Sequence, residues 1–340
     1  MKLTLRQAIN ILFFFIIAGG AVIWFYYFGP TFQGPHKTYK VGVLVEQDLL
    51  AANYEGFKAG MAELGYKEGV NIEYIVRNSK ANVNLRHQYE NELIADKPDL
   101  IVAASTPAAK EFKDKNLSTP VLFIDIGSAS GIVENFARPE ANVTGILSDN
   151  ANLTGKRLEI LKAIKPEIGK VIVSPQKDFP SYNAFMKSIR EAAQNLKMGV
   201  VEIPSLNQDD FLSRIEQIIN RKNGDAFVYF PAPNNAVNSL ADRKRIVERL
   251  ISEKIVSVNH NLDRGANEGV LASYGIPRYD VGKQAALLAD KILNGAAIKD
   301  VPVVLIRELT LELNLAAAKA MNINISQAIL LRASKIYQAY

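Results

Sequence analysis

The chain has 340 residues, no cysteine, 48% hydrophobic and 22% charged residues and a formal charge of +5 at pH 7, which excludes disulfide scaffolds, thiolate nucleophiles and cysteine metal sites but allows a sizeable buried core. The length suits about two domains. Lys2, Arg6 and Lys37 are the only charged residues before Lys40, so the remainder carries about +2, with no basic stripe to neutralise phosphates, and nucleic acid is not expected as a partner.

Residues 8–28 read AINILFFFIIAGGAVIWFYYF, with one polar side chain, Asn10. As a helix rising about 1.5 Å per residue, this segment would cross the roughly 30 Å hydrocarbon layer of a bilayer. Lys2 and Arg6 precede it, and a positive flank is held on the cytoplasmic side, so the rest of the chain is expected on the extracytoplasmic (periplasmic) side. Trp24, Tyr26 and Tyr27 fall where an outer-interface aromatic belt would sit. The competing reading is a cleaved signal peptide, with an apolar region from Ile9 to Ile17 and small residues Ala18 and Gly20 before the cut. Cleavage there would expose AVIWFYYF at a new terminus, which favours an uncleaved single-pass anchor. Residues 17–20 also resemble the end of a lipoprotein signal, but the cysteine such a signal requires is missing. Residues 29–39, with Gly29, Pro30, Gly34 and Pro35, read as a linker.

Strand-length apolar runs then alternate with amphipathic stretches. KVGVLV (40–45), NIEYIV (71–76), DLIVAAS (99–105), VLFIDI (121–126) and VTGIL (143–147) are separated by helical patterns at 54–64, 84–95 and 107–115. A second series follows: helix 153–164, KVIVS (170–174), helix 181–197, GVVEIP (199–204), helix 209–219, AFVYFP (226–231), helix 241–254, IVSVN (255–259) and GVLASY (269–274). Continuous Val/Ile runs between helices indicate buried parallel strands covered on both faces, so the expected fold is α/β with two doubly wound parallel-sheet lobes. Helix 280–293 should end at Asn294-Gly295 in a left-handed cap. The strand ELTLELN (308–314) and a last helix near 327–337, capped by Ser326, complete the chain.

Ligands of open parallel sheets sit beyond the carboxyl ends of the strands. The residues there are Glu46 and Gln47, Ser105-Thr106-Pro107, Gly127-Ser128, Gln176-Lys177-Asp178, Pro233-Asn234-Asn235, Asn259-His260-Asn261 and Tyr274-Gly275. Amides, hydroxyls and an aromatic ring suit a small polar or zwitterionic molecule held by hydrogen bonds. Ser105-Thr106-Pro107 either presents helix N–H groups to a carboxylate or is an ordinary helix cap. Asn234-Asn235 reads as a turn and cap or as a contact, and Tyr274 either stacks on a ligand or packs at a domain junction.

Catalytic constellations are missing. His36, His87 and His260 have no partner at metal-ligand spacing. Thr154-Gly155-Lys156 lacks the upstream glycine of a phosphate loop, residues 127–131 do not form a dinucleotide fingerprint, and no G-x-S-x-G elbow occurs. Asp48 and Asp209-Asp210 read as helix starts and solvated surface. No enzyme activity, cofactor or metal is expected.

YEGFKAGMAELGYKEGVNIEYIVRN (54–78), ADKPDLIVAASTPAA (95–109), NVTGILSD (142–149), LEILKAIKPEIGKVIV (158–173), GVLASYGIPRYDVGKQAALLADKILNG (269–295) and LELNLAAAKAMNINI (311–325), in this order and spacing, resemble the ABC-transporter substrate-binding protein family that includes tryptophan/tyrosine-type receptors, with the type 1 periplasmic-binding-protein fold. The resemblance implies two lobes joined by a hinge and closing on a small ligand, and a membrane permease that recognises the closed form and is powered by its ATPase. It places lobe 1 at 40–147 with a returning segment near 276–306, lobe 2 at 148–275, and a C-terminal strand and helix at 307–340 closing the hinge region, after the anchor and linker of 1–39. Carried over by position, the pocket would use Gln47, Ser105, Thr106, Gly127, Ser128, Gln176, Asn234, Asn259 and Tyr274. Two stretches depart from the family. VNHNLDRG (258–265) stands where an acidic-hydroxyl run of the GDTD kind is common, and Ile126-Gly127-Ser128-Ala129 replaces a valine-threonine-aspartate-proline run. The expected function is an amino-acid receptor of an ABC importer. The alternative is a tethered sensing module that reports to a membrane partner without transport; a LacI-like regulator would need a helix-turn-helix where the hydrophobic span stands.

Overall fold

The structure, a computed structural model, describes residues 37–339 apart from Asp149, Pro180 and Arg307. The 8–28 span lies outside them, and among the described residues no helix is long and apolar enough to cross a membrane.

Strand β1 (Tyr39–Val45) leads through α1 (Ala51–Glu63) to β2 (Ile72–Asn78), followed by α2 (Val83–Ala95), β3 (Leu100–Ala104), α3 (Thr106–Asp114), β4 (Val121–Ile126) and β5 (Val143–Leu147). A second body takes α4 (Asn150–Ile164), β6 (Lys170–Val173), α5 (Tyr182–Asn195), β7 (Gly199–Glu202), α6 (Gln208–Ser213), α7 (Ile215–Ile218), β8 (Ala226–Val228), α8 (Leu240–Ser252), β9 (Val256–Asn259) and β10 (Ala272–Gly275). The chain returns to the first body with α9 (Arg278–Leu293) and β11 (Val304–Leu305), then crosses again for β12 (Thr310–Asn314), α10 (Leu315–Ala320), α11 (Gln327–Leu330) and β13 (Lys335–Tyr337).

The first sheet has the order β11-β5-β4-β3-β1-β2 and is parallel throughout. The second, β13-β12-β10-β9-β8-β6-β7, is parallel except for the antiparallel pair β10–β12. Alternation along each strand feeds two cores per sheet, because successive side chains point to opposite faces. Val41, Val43 and Val45 join Phe57 and Ala285 on one side of the first sheet, while Leu44 joins Leu93 and Phe112 on the other. In the second sheet Val171 and Val173 face the core of α4 and α5, and Ile172 faces that of Phe211 and Ile246. Each such Val, Leu, Ile or Phe removed from water contributes about 1.5–3 kcal/mol, which is why these strands read as unbroken apolar runs.

The returning helix α9 packs along α1 at backbone contact distance. A Cβ on Gly56 would collide with the Tyr279 carbonyl, and one on Gly282 with the Asn53 carbonyl. Gly295 ends α9 at φ +95, as the Asn294-Gly295 pair leads one to expect. The C-terminus differs from expectation. The last helix is one turn, Gln327–Leu330, without a side-chain cap from Ser326, and Lys335–Tyr337 instead extends as β13 beside β12. The edge of β12 offers unpaired backbone groups there, and Ile336 and Tyr337 are residues that fit a pleated surface.

Replacing Gly56 by alanine should destabilise the fold by about 1–3 kcal/mol through overpacking at the α1–α9 contact; a thermal melt unchanged from the wild type would contradict this packing.

Candidate functional site

The carboxyl ends of both sheets face one another across a cavity of about 100 Å³. Glu46 and Gln47 after β1, Ser105, Thr106 and Pro107 between β3 and α3, and Asp125 and Gly127 at the end of β4 form one wall together with Arg278, the first residue of α9. The other wall is Asn150 from α4, Phe179 and Phe185 at α5, Pro231, Ala232 and Ala236 after β8, and His260 after β9. The bodies meet closely here, since a Cβ on Gly127 would lie 3.2 Å from the Phe185 ring and 3.7 Å from the Asn150 Cβ.

Polarity differs between the walls. Phe179 and Phe185 belong to an aromatic cluster with Tyr182 and Phe230, with ring centroids 5.5–6.5 Å apart, and give the cavity an apolar face suited to a flat ligand body. Opposite, Ser105 Oγ accepts a hydrogen bond from Ala108 N at 3.1 Å, and Thr106 Oγ1 accepts one from Gly127 N at 3.2 Å. Ser105 is therefore the helix cap, and Pro107 has no N–H, which leaves the Thr106 backbone N–H as the donor at the start of α3. Arg278 is 8% exposed. Its guanidinium lies 3.3 Å from Asp125 Oδ2 in the first body and donates to Asn261 Oδ1 at 2.8 Å in the second. Burial, and then the positive charges of Arg157 and Arg278, hold the His260 imidazole well below its ordinary value, so it is neutral at pH 7.

Of the residues expected at the site, Gln47, Ser105, Thr106 and Gly127 line this cavity and five do not. Ser128 turns aside to accept from Ser130 N at 3.3 Å. Gln176 accepts from Asn234 N at 3.3 Å, and Asn234, wholly buried, donates to Ser174 O and Ser205 Oγ at 3.0 and 3.1 Å. Asn259 donates to Arg264 O at 3.0 Å and lines a smaller cavity of about 20 Å³ behind His260. Tyr274 packs on the second body's core and offers its carbonyl to Arg157 Nε at 2.8 Å. Amides and rings at strand ends close loops as readily as they bind ligands. Asp125, Asn150, Phe179, Phe185 and Arg278 escaped the sequence reading. The one signal for Asp125 was a charged residue inside the apolar run VLFIDI.

A family model described as ABC transporter substrate binding protein matches residues 39–337. A protein named tyrosine-binding protein, from Clostridioides difficile (strain R20291), is 25% identical over 288 residues, covering 84% of this chain and 81% of that protein. Two solved structures share the fold. The ABC domain in complex with L-Trp from Streptococcus pneumoniae has a TM-score of 0.80 at 22% identity, covering 88% of this chain and 100% of its own. A conserved domain protein from Vibrio cholerae has a TM-score of 0.80 at 24% identity, with the same coverage.

Behind the polar wall, Glu46 is held by Arg86 Nη1 at 2.6 Å, and Arg86 is gripped in turn by Glu111 through Nη2 at 2.6 Å and Nε at 3.1 Å. Glu90 is wholly buried one turn from Arg86, and neither of its oxygens receives a hydrogen bond. Lys115 lies 3.5 Å away and Arg86 Nε 3.9 Å away. Burial first, and the neighbouring Glu111 second, push the Glu90 carboxyl up to about 8. Burial also raises Glu111, but the hydrogen bonds from Arg86 and its positive charge outweigh it and bring Glu111 down to about 2. Glu90 therefore keeps a proton in the folded state that it loses in the unfolded chain above pH ~4.5, so its contribution to stability falls as pH rises from there to about 8. Glu90→Gln should match the wild type's melting temperature near pH 5 and exceed it by about 2 °C at pH 8.5; equal melting temperatures at both pH values would contradict a buried proton on Glu90.

Proposed function

The chain belongs to the ABC transporter substrate-binding protein family, and from that membership we propose that it is the solute receptor of an ABC importer, taking an amino acid with an apolar or aromatic side chain into the cleft and presenting it to a membrane permease. The observation that carries this reading is the division of the cleft: hydroxyl, carboxylate and guanidinium groups on one wall, the Phe179–Phe185 face on the other. The names of the relatives, one tyrosine-binding and one in complex with L-Trp, support the same ligand class. The helix-length apolar span at 8–28 supports a tether that holds the receptor at the outer face of the cytoplasmic membrane.

A ligand shifts an open-closed equilibrium only as far as it contacts the closed form better. An amino acid does so here by touching both bodies at once, its polar end at Ser105, Thr106 and Arg278 and its side chain at Phe179 and Phe185. No step of bond making is needed, and the work of the site is selection and closure.

Thermal-shift screening of the protein against the twenty amino acids should show stabilisation by aromatic ones, approaching about 2.7 kcal/mol at a hundredfold excess over Kd. No stabilisation by any amino acid would sink the ligand class. Gly127→Leu, which wedges a side chain between Phe185 and Asn150, should weaken that binding by about tenfold or more, equivalent to roughly 1.4 kcal/mol. Purification from membranes should bring a permease with it; a kinase or cyclase in its place would support sensing instead of transport.

A further inference from the structure

One residue in the cleft is held in an unusual way. Asp125 is the extra residue where β4 slips against β5: Ile124 pairs with Ile146 and Ile126 with Leu147, which leaves Asp125 between them. Its backbone sits at φ +56, in the left-handed region. Bulges of this kind re-aim a side chain, and they are rare between parallel strands. The side chain so aimed is 5% exposed and belongs to the cavity wall. Its two oxygens are unequal. Oδ2 has Arg278 Nε at 3.3 Å and Asn53 Nδ2 at 3.4 Å, whereas Oδ1 is buried and receives no hydrogen bond. A buried carboxylate oxygen without a donor is costly to keep, and strain of this kind persists where the surroundings impose it.

Resting on the reading of the cleft as an amino-acid site, we propose that Asp125 is the ligand-binding carboxylate: its Oδ1 receives the positively charged amino group of the ligand, while Arg278 and Asn53 fix the carboxylate from the opposite side. An ammonium brings three donors and a charge, and so satisfies an orphaned carboxylate oxygen in a way a hydroxyl cannot match. Glu46, the other carboxylate on the wall, is already committed to Arg86 at 2.6 Å. Arg278 cannot swing fully onto Asp125, because Asn261 Oδ1 holds its Nη1 at 2.8 Å and Asp263 lies 3.4 Å from the same nitrogen. The pairing at 3.3 Å engages Oδ2 alone and leaves Oδ1 for the ligand. The class selected is therefore a primary amine carried on an apolar body, with a carboxylate admitted beside the amine by Thr106 N–H and Arg278.

Isothermal titration of the full-length chain with L-tyrosine and L-tryptophan, and with their deaminated analogues 3-(4-hydroxyphenyl)propanoate and indole-3-propanoate, tests this directly. Wild type should bind the amino acids at least about 30-fold more tightly than the analogues. Asp125→Asn keeps the size of the side chain and tolerates φ +56 at least as well, so it should fold, which its melting curve checks. It should lose about 30-fold or more for the amino acids and little for the analogues, narrowing or reversing the preference. If wild type binds the amino acids, and Asp125→Asn binds them equally well or the analogues bind as tightly, Asp125 is not the anchor although the amino-acid reading stands. If wild type binds no amino acid, both fall.

Discussion

One guanidinium ties together the two points at which the chain enters and leaves the second body. Arg157, on α4, is 1% exposed. It donates to the carbonyl and side-chain oxygens of Asn150 at 3.2 and 2.6 Å, to Thr154 Oγ1 at 3.2 Å and to the Tyr274 carbonyl at 2.8 Å. Asn150 stands where the chain enters the second body and Tyr274 where it leaves, so one side chain pins the entering helix to the departing strand. Among the described residues no carboxylate pairs with it, and a buried cation so placed is expensive. Burial pulls its pKa down to about 9, still above neutral pH, so the ion persists. Hydrogen bonds to an ionised group are worth about 1.5–3 kcal/mol each, and four of them offset the loss of water. Asn150 on the cavity wall, the closing of the cleft at Gly127 and the launch of α9 toward Arg278 all inherit their positions from this pin.

The cleft places its charges in two couples of different tightness. Glu46 with Arg86 is close, backed by Glu111, and acts as a rigid piece of wall. Asp125 with Arg278 is loose and shared between the bodies through Asn261. A site lined by balanced couples presents little net field and suits a ligand that is itself neutral overall but internally charged. The neutral His260 adds polarity without adding charge. Against these the phenyl rings of Phe179 and Phe185 supply area, so orientation comes from one wall and much of the burial from the other.

Much of this was readable in the chain. Runs such as KVGVLV and DLIVAAS are apolar because both faces of a parallel sheet are covered, and the rule that ligands gather beyond strand ends leads to Gln47, Ser105, Thr106 and Gly127. What escaped depends on direction. VLFIDI reads as one buried strand, and nothing in the letters announces that Asp125 is a bulge turned into the cleft. Asn234, Asn259 and Gln176 stand at the right places in the chain but spend their amides on neighbouring backbone, a competition that composition cannot resolve. Phe179, Phe185 and Arg278 come from helix starts, where the facing surface is set by tertiary packing. The C-terminal helix was lost to the free edge of β12, an opportunity visible only once the second sheet is assembled.

The return of α9 and β11 to the first body has a consequence for how the chain acquires its shape. Val41, Phe57 and Ile146 share a core with Val281, Ala285 and Ile292, side chains separated by most of the sequence. A chain emerging from its N-terminus can form β1 through β5 early, but one face of that sheet is covered only by α1 until Arg278–Leu293 has been made and the whole second body has been passed. Contacts of such long separation are slow to form, and exposed apolar surface in the interval invites aggregation. A protein truncated before Arg278 would therefore lose more than its tail: its oldest half would remain unfinished.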